Sequence, residues 1–177
     1  IVDEVQTGVG RTGTFLACEQ YNLRPDIVTL AKGLGGGLPI GAVLLNDRVA
    51  GCMGPGTHGS TFGGNPVVCA GANVVLDRLS DSFLAGVRQH GEQLREGLEK
   101  LPHVTAVDGM GLMLGVQFEE GITAQAVLDA CRERGLLVLT AKTRMRLLPP
   151  LIVTTHDIER ALTILDEVLC SMAPAQR

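Results

Sequence analysis

From Ile27 to Asn46 the chain carries a single ionisable side chain, Lys32, and glycines follow it at 33, 35, 36, 37 and 41. The lysine closes an apolar, strand-like run. Burial there is expected to desolvate the ammonium and favour the neutral amine, which is a nucleophile toward carbonyls. Taken alone, Lys32 reads more simply as a lysine that snorkels from a strand end to water. Asp3 changes the balance. It too lies near the end of a β-branched run, "IVDEV". In an α/β sheet with parallel strands, ligands gather at the carboxyl ends, so Asp3 and Lys32 can meet at one edge. That pair suits an aldehyde carried on a pyridine ring. The amine takes the aldehyde, and the carboxylate keeps the ring nitrogen protonated so that the ring accepts the electrons of a carbanion. For Asp3 alone, a strand-end cap or an ion pair is the plainer reading.

These two residues need a sheet to hold them, and the pattern of the chain supplies one. "IVDEV" (1–5), "PDIVTLA" (25–31) and "PIGAVLLN" (39–46) read as strands. Short helices are expected over 14–22 and 47–53, and a Gly/Pro loop over 54–66. Val68, Ala72, Val75 and Leu79 share a face of a helix over 67–79, as do Leu84, Val87, Leu94 and Leu98 in the next. Strands are expected at 104–109, 111–118, 136–141 and 144–153. Between and after them come helices over 123–134 and 155–172, the last capped by Thr155 with Asp157 and Glu159 in its first turn. Alternating strands and helices indicate the α/β class. A boundary is expected after residue 77, between a glycine-rich half (1–77) and a more regular α/β half (78–177). The chain opens on Ile1, inside a strand, which suggests the C-terminal part of a longer protein.

Composition narrows the partners. The chain is 45% hydrophobic and 19% charged, with a net charge of −4 and no basic run, so nucleic acid is not an expected partner. No apolar run reaches membrane-spanning length and no stretch of this sequence reads as a signal peptide, so no membrane partner is expected. The five cysteines include no CxxC and no Cys/His pair at metal spacing. They indicate thiols in a reducing compartment, taken as the cytoplasm, and no metal site.

"GVGRTG" (8–13) matches G-x-G-x-x-G between a strand and a helix. A dinucleotide site needs an acid at the end of the next strand, about 20 residues on. Here that strand ends at Lys32, Asp26 stands at its other end, and the acids of "IVDEV" would repel a pyrophosphate. The segment reads as a glycine turn. No GK[ST] is present for a P-loop.

"DEVQTGVGRTG", "LAKGLGGGLPIGA", "HGSTFGGNP" and "RLLPPLIVT" stand in the order and spacing of the class III pyridoxal-phosphate aminotransferases, which the chain resembles over essentially its whole length. Within that family it is most similar to the members whose amino donor is N-acetylornithine. The resemblance implies the C-terminal part of the type I fold of pyridoxal-phosphate enzymes: part of the large-domain sheet, then the small C-terminal α/β domain. It implies the cofactor pyridoxal 5′-phosphate and transfer of the terminal amine of N-acetylornithine to 2-oxoglutarate. Ornithine, succinylornithine and 4-aminobutyrate are the alternative donors. The readings of other classes are a non-catalytic binding or scaffold fragment and a dinucleotide-dependent oxidoreductase.

The resemblance also implies roles. Lys32 matches the lysine that bonds to the cofactor aldehyde, and Asp3 the aspartate at the pyridinium nitrogen. Gln6 matches the glutamine near the ring oxygen, while Glu4 and Val5 line the cofactor wall. Thr61 matches a threonine that reaches the phosphate held by the other subunit of a homodimer, and Ser60 a substrate position. Arg146 matches an arginine that holds a substrate carboxylate, a task for which its planar fork is suited. Arg144, on the same strand face, is the residue most easily confused with it. The main phosphate loop, a stacking aromatic ring and an arginine for the donor carboxylate belong to the N-terminal part of such enzymes. The chain alone is therefore expected to bind the cofactor poorly and to expose a sheet edge.

Overall fold

Residues 1–172 are described by the computed structural model. Two units of contact partition the chain, Ile1–Ala85 and a second beginning at Gly86. The boundary expected after residue 77 lies in the last turn of helix α1 (Pro66–Arg78).

The first unit holds a three-stranded sheet of β1 (Val2–Asp3), β2 (Ile27–Leu30) and β3 (Ala42–Leu45), in that spatial order. β1 and β2 run parallel, and β3 runs antiparallel to β2. The runs that read as strands are longer than the paired segments, because glycines and turn residues end the ladders early. At the amino end of β2, Asp26 accepts hydrogen bonds from Asn46 Nδ2 at 2.8 Å and Arg48 Nε at 2.9 Å. The Arg48 guanidinium, then the Asn46 amide, hold the Asp26 carboxyl below its ordinary range. The core of the unit is a small cluster of Val9, Val28, Leu30, Leu34 and Ala72. α1 begins where Asn65 Oδ1 accepts from the Val67 N–H at 3.0 Å. Pro66 takes the first helical position, where its missing N–H costs nothing.

The second unit is built on an antiparallel sheet, ordered β4 (Val104–Met110), β5 (Met113–Phe118), β7 (Arg144–Leu147), β6 (Leu139–Ala141). With α2 (Asp81–Leu98), α3 (Ala124–Glu133) and α4 (Thr155–Cys170) it supplies the larger core. Leu98, Leu112, Val116, Val127, Met145, Leu165, Val168 and Leu169 are fully buried there. β7 stops at Leu147, short of the expected 144–153, because Pro149 and Pro150 offer no N–H to a ladder. The cap of α4 is Thr154 rather than Thr155. Its hydroxyl accepts from the Asp157 N–H at 3.2 Å, and its N–H donates to Asp157 Oδ2 at 3.0 Å.

Candidate active site

Parallel pairing decides the geometry. Val2 faces Val28 and Asp3 faces Thr29, so the carboxyl ends of β1 and β2 share an edge. Asp3 is the last residue of β1. Lys32 follows β2 by two residues and opens a single helical turn, Lys32–Gly35. The Asp3 carboxylate is held at one oxygen. Its Oδ1 accepts from the Val5 N–H at 2.9 Å and from the Thr29 hydroxyl at 3.1 Å. Thr29 was not singled out in the sequence. Its one signal is a hydroxyl inside the otherwise apolar run "IVTLA".

Lys32 departs from expectation. It stands exposed on this chain rather than desolvated, while Leu30 and Leu34 on either side are buried. The reason is local: its backbone has φ +45°. The chain thereby turns away from the core at this residue and returns one turn later. The Leu34 N–H closes the turn on the Ala31 carbonyl at 3.0 Å, and the Gly36 N–H follows on Gly33 at 3.2 Å. The glycine run serves close packing. A Cβ on Gly36, itself at φ +58°, would stand 2.9 Å from Val75 Cγ2 of α1.

Glu4 also departs from its expected place on a cofactor wall. It is 1% exposed and points inward. Its Oε1 accepts from the Cys18 N–H at 2.8 Å, and its Oε2 accepts from the Thr7 hydroxyl. Burial raises the Cys18 thiol above its ordinary range, with the Glu4 carboxylate adding to the effect. Val5 and Gln6 are half-buried, and Gln6 has a bonding partner. Ser60 and Thr61 lie exposed on the 53–64 loop, where the Gly63 N–H turns back on the Ser60 carbonyl at 3.3 Å.

Arg144 and Arg146 share a face of β7, alternating with buried Met145 and Leu147. Arg144 is engaged within the sheet, paired with Asp108 and donating to Gln117 Oε1 at 3.1 Å. Arg146 instead borders a cleft of about 550 Å³ lined by Leu94, Leu137, Leu139, Pro149 and Asp157 among others. Among the described residues no cluster of His, Cys, Asp or Glu could hold a metal ion, and no helix is long and apolar enough to cross a membrane.

The donor set fits a pyridoxal cofactor. Lys32 offers an accessible primary amine. Asp3 offers a carboxylate oriented at one oxygen, Oδ1.

The model of the family described as aminotransferase class-III matches residues 1–169. An acetylornithine aminotransferase of Haemophilus ducreyi is 56% identical over 172 residues, covering 97% of this chain and 44% of that protein. The mitochondrial acetylornithine aminotransferase of Alnus glutinosa is 47% identical, covering 96% and 39%. Among solved structures, the N-acetylornithine aminotransferase of Stenotrophomonas maltophilia aligns with a TM-score of 0.83 at 37% identity, covering 96% of this chain and 46% of that one. The ornithine aminotransferase of Toxoplasma gondii aligns at 0.87 and 36%, covering 96% and 42%. The chain therefore spans less than half the length of these relatives.

Proposed function

Given that the chain belongs to the class III aminotransferases, we propose that the protein carrying it moves the terminal amine of N-acetylornithine to 2-oxoglutarate. The products are N-acetylglutamate 5-semialdehyde and glutamate, and the cofactor is pyridoxal 5′-phosphate. The observation that carries this reading is the placement of Asp3 and Lys32 on one sheet edge by the parallel β1–β2 pair. The acetylornithine aminotransferases among its relatives support the choice of donor.

When bound, the pyridoxal group supplies an electron sink for the carbon that loses a proton. The residues of this chain do the rest. Lys32 Nζ would hold the cofactor through its aldehyde carbon and, as a free amine, would act as general base toward the donor carbon. Asp3 Oδ2 keeps the ring nitrogen protonated, with Oδ1 anchored by Val5 and Thr29. Gln6 donates to the ring oxygen, and Val5 lines the wall. In a homodimer Thr61 reaches the phosphate of the other subunit's cofactor, and Ser60 meets substrate. Arg146 binds the 2-oxoglutarate carboxylate. The cleft that Arg146 borders, and Arg144 does not, supports Arg146 over Arg144 for that task. Five free thiols support a reducing compartment such as the cytoplasm.

Borohydride trapping with pyridoxal phosphate on the full-length protein, followed by peptide mapping, tests the assignment. The only lysines in this chain are Lys32, Lys100 and Lys142. An adduct on Lys32 alone is expected, and an adduct spread over Lys100 and Lys142 would sink the reading. Similarity to ornithine aminotransferases favours one second reading, unacetylated ornithine as donor. Competition between the two donors decides it, with N-acetylornithine expected to win.

A further inference from the structure

Val9 and Lys32 both hold a left-handed backbone, with φ +57° and +45°. The conformation is costly for any L side chain and most costly for a β-branched one. The two residues are linked in space. A Cβ on Gly33 would lie 3.6 Å from Val9 Cβ and 3.8 Å from Val9 Cγ1, so Val9 is the side chain that borders the residue after Lys32. Val9 is 3% exposed and shares its cluster with Leu30 and Leu34, which flank the lysine. The glycine loop that resembles a nucleotide fingerprint thus packs on the turn that carries the amine.

The loop is itself firmly held. The buried Glu4 ties it at both ends, through the Cys18 N–H at 2.8 Å and the Thr7 hydroxyl. The Gly8 N–H donates to the Glu4 carbonyl at 2.9 Å. A Cβ on Gly8 would fall 2.8 Å from both that carbonyl oxygen and Leu30 Cδ2, so the loop lies flush on β2. Gln20 Nε2 lies 3.0 Å from each of the Thr12 carbonyl, Thr12 Oγ1 and Thr14 Oγ1. Strained backbone persists only where its surroundings over-determine it, and here they do.

We propose that the loop anchored by Glu4 is a clamp on the Lys32 turn, with Val9 the positioning residue that sets the direction of the amine. The chemical consequence rests on Lys32 being the reactive amine; the clamp itself does not.

Two measurements on the full-length protein test it. Val9→Ala keeps the Cβ contact with Gly33, whereas Val9→Gly removes the side chain and relieves the backbone. With melting temperature held, borohydride trapping at Lys32 is expected to slow by ~10-fold or more in Val9→Gly, the scale of a misplaced reacting group, and by less in Val9→Ala. In the unsubstituted protein, the Leu34 and Gly36 amides should exchange hydrogen with the same opening free energy as those of Gly8 and Cys18, as one cooperative unit. Independent opening of the two pairs overturns the clamp whether or not the variants fold. So does a folded Val9→Gly that traps at the parent rate. Absence of any Lys32 adduct in the parent overturns the function reading instead, and the exchange comparison still decides the clamp.

Discussion

The second unit encloses the larger apolar core, whereas the first presents an amine and a carboxylate at a sheet edge. In the second, Arg144 pairs with Asp108, and Arg132 with Asp129 at 3.0 Å. Arg95 donates to the carbonyls of Val107 at 2.7 Å and Gly109 at 2.6 Å. In the first, Arg48 pairs with Asp26 and Glu4 is bonded inside, while Lys32 and Asp3 stand exposed. The buried cores differ in extent. The sheet and helices of the second unit enclose Leu98, Val116, Met145 and Leu165 completely. Exposed apolar side chains occur in both, such as Phe62 and Val67 in the first unit and Leu137 and Ile152 in the second. The strands of the first unit are two and four residues long, too short to be stable by pairing alone. The residues proposed to hold the cofactor therefore lie on the unit with the smaller core, and the proposed carboxylate-binding Arg146 on the larger.

That contrast can be broken by substitution. Lys32→Ala should lower kcat of the full-length enzyme by at least about 10²–10⁴-fold, the scale of a positioned acid–base. Its melting temperature measured without cofactor should scarcely change, because Lys32 is exposed on this chain. Retained transamination would remove the chemistry from the first unit. Leu165→Ala should do the reverse. Truncating this fully buried α4 residue should cost about 2–5 kcal/mol in denaturant unfolding, with kcat per folded molecule kept. Glu4→Ala sharpens the comparison, since it removes a buried structural acceptor from the chemical unit. It should cost about 1–3 kcal/mol, because the Cys18 N–H is left without its partner. Glu4→Gln, which keeps an acceptor, should cost less.

The smaller effects are at helix and strand ends. Thr154→Ala removes the α4 cap and should cost about 1 kcal/mol. The pH dependence follows from the same bonds. Hydrogen bonds from the Thr154 hydroxyl and N–H hold the Asp157 carboxyl below its ordinary range, as Arg48 and Asn46 hold Asp26. A carboxyl lowered in the folded state takes its proton first in the unfolded state as pH falls. Its stabilisation is thus present above about pH 3.9 and lost below it. Melting temperature measured from pH 5 to pH 2 should decline. Thr154→Ala should flatten that decline, and Arg48→Ala should flatten it independently.

Much of this was legible in the residues. Val68, Ala72, Val75 and Leu79 do form the inward face of α1, and Leu84, Val87, Leu94 and Leu98 are all buried on α2. Helical period survives tertiary context because burial of one face is what stabilises a helix. Strand ends were less legible. The run from Arg144 to Val153 reads as one strand, yet the paired segment stops before two prolines. Thr154 and Thr155 are chemically equivalent as caps, and only the path of the chain into the helix separates them.

By itself the sequence determined which groups are available. A lone lysine in an apolar, glycine-rich stretch, an aspartate in a β-branched run and four family blocks in register are properties of residue type and spacing, and need no coordinates. Tertiary structure alone decided how those groups are held. The parallel register set Asp3 opposite Thr29, which anchors its carboxylate. The turn at φ +45° lifted Lys32 out of the core it was expected to enter. Folding drew Glu4 inward to Cys18, and laid Val9 against Gly33. Each of these depends on a contact between residues distant in sequence, or on a backbone angle that neighbours impose. Neither is encoded in a side chain's own preferences.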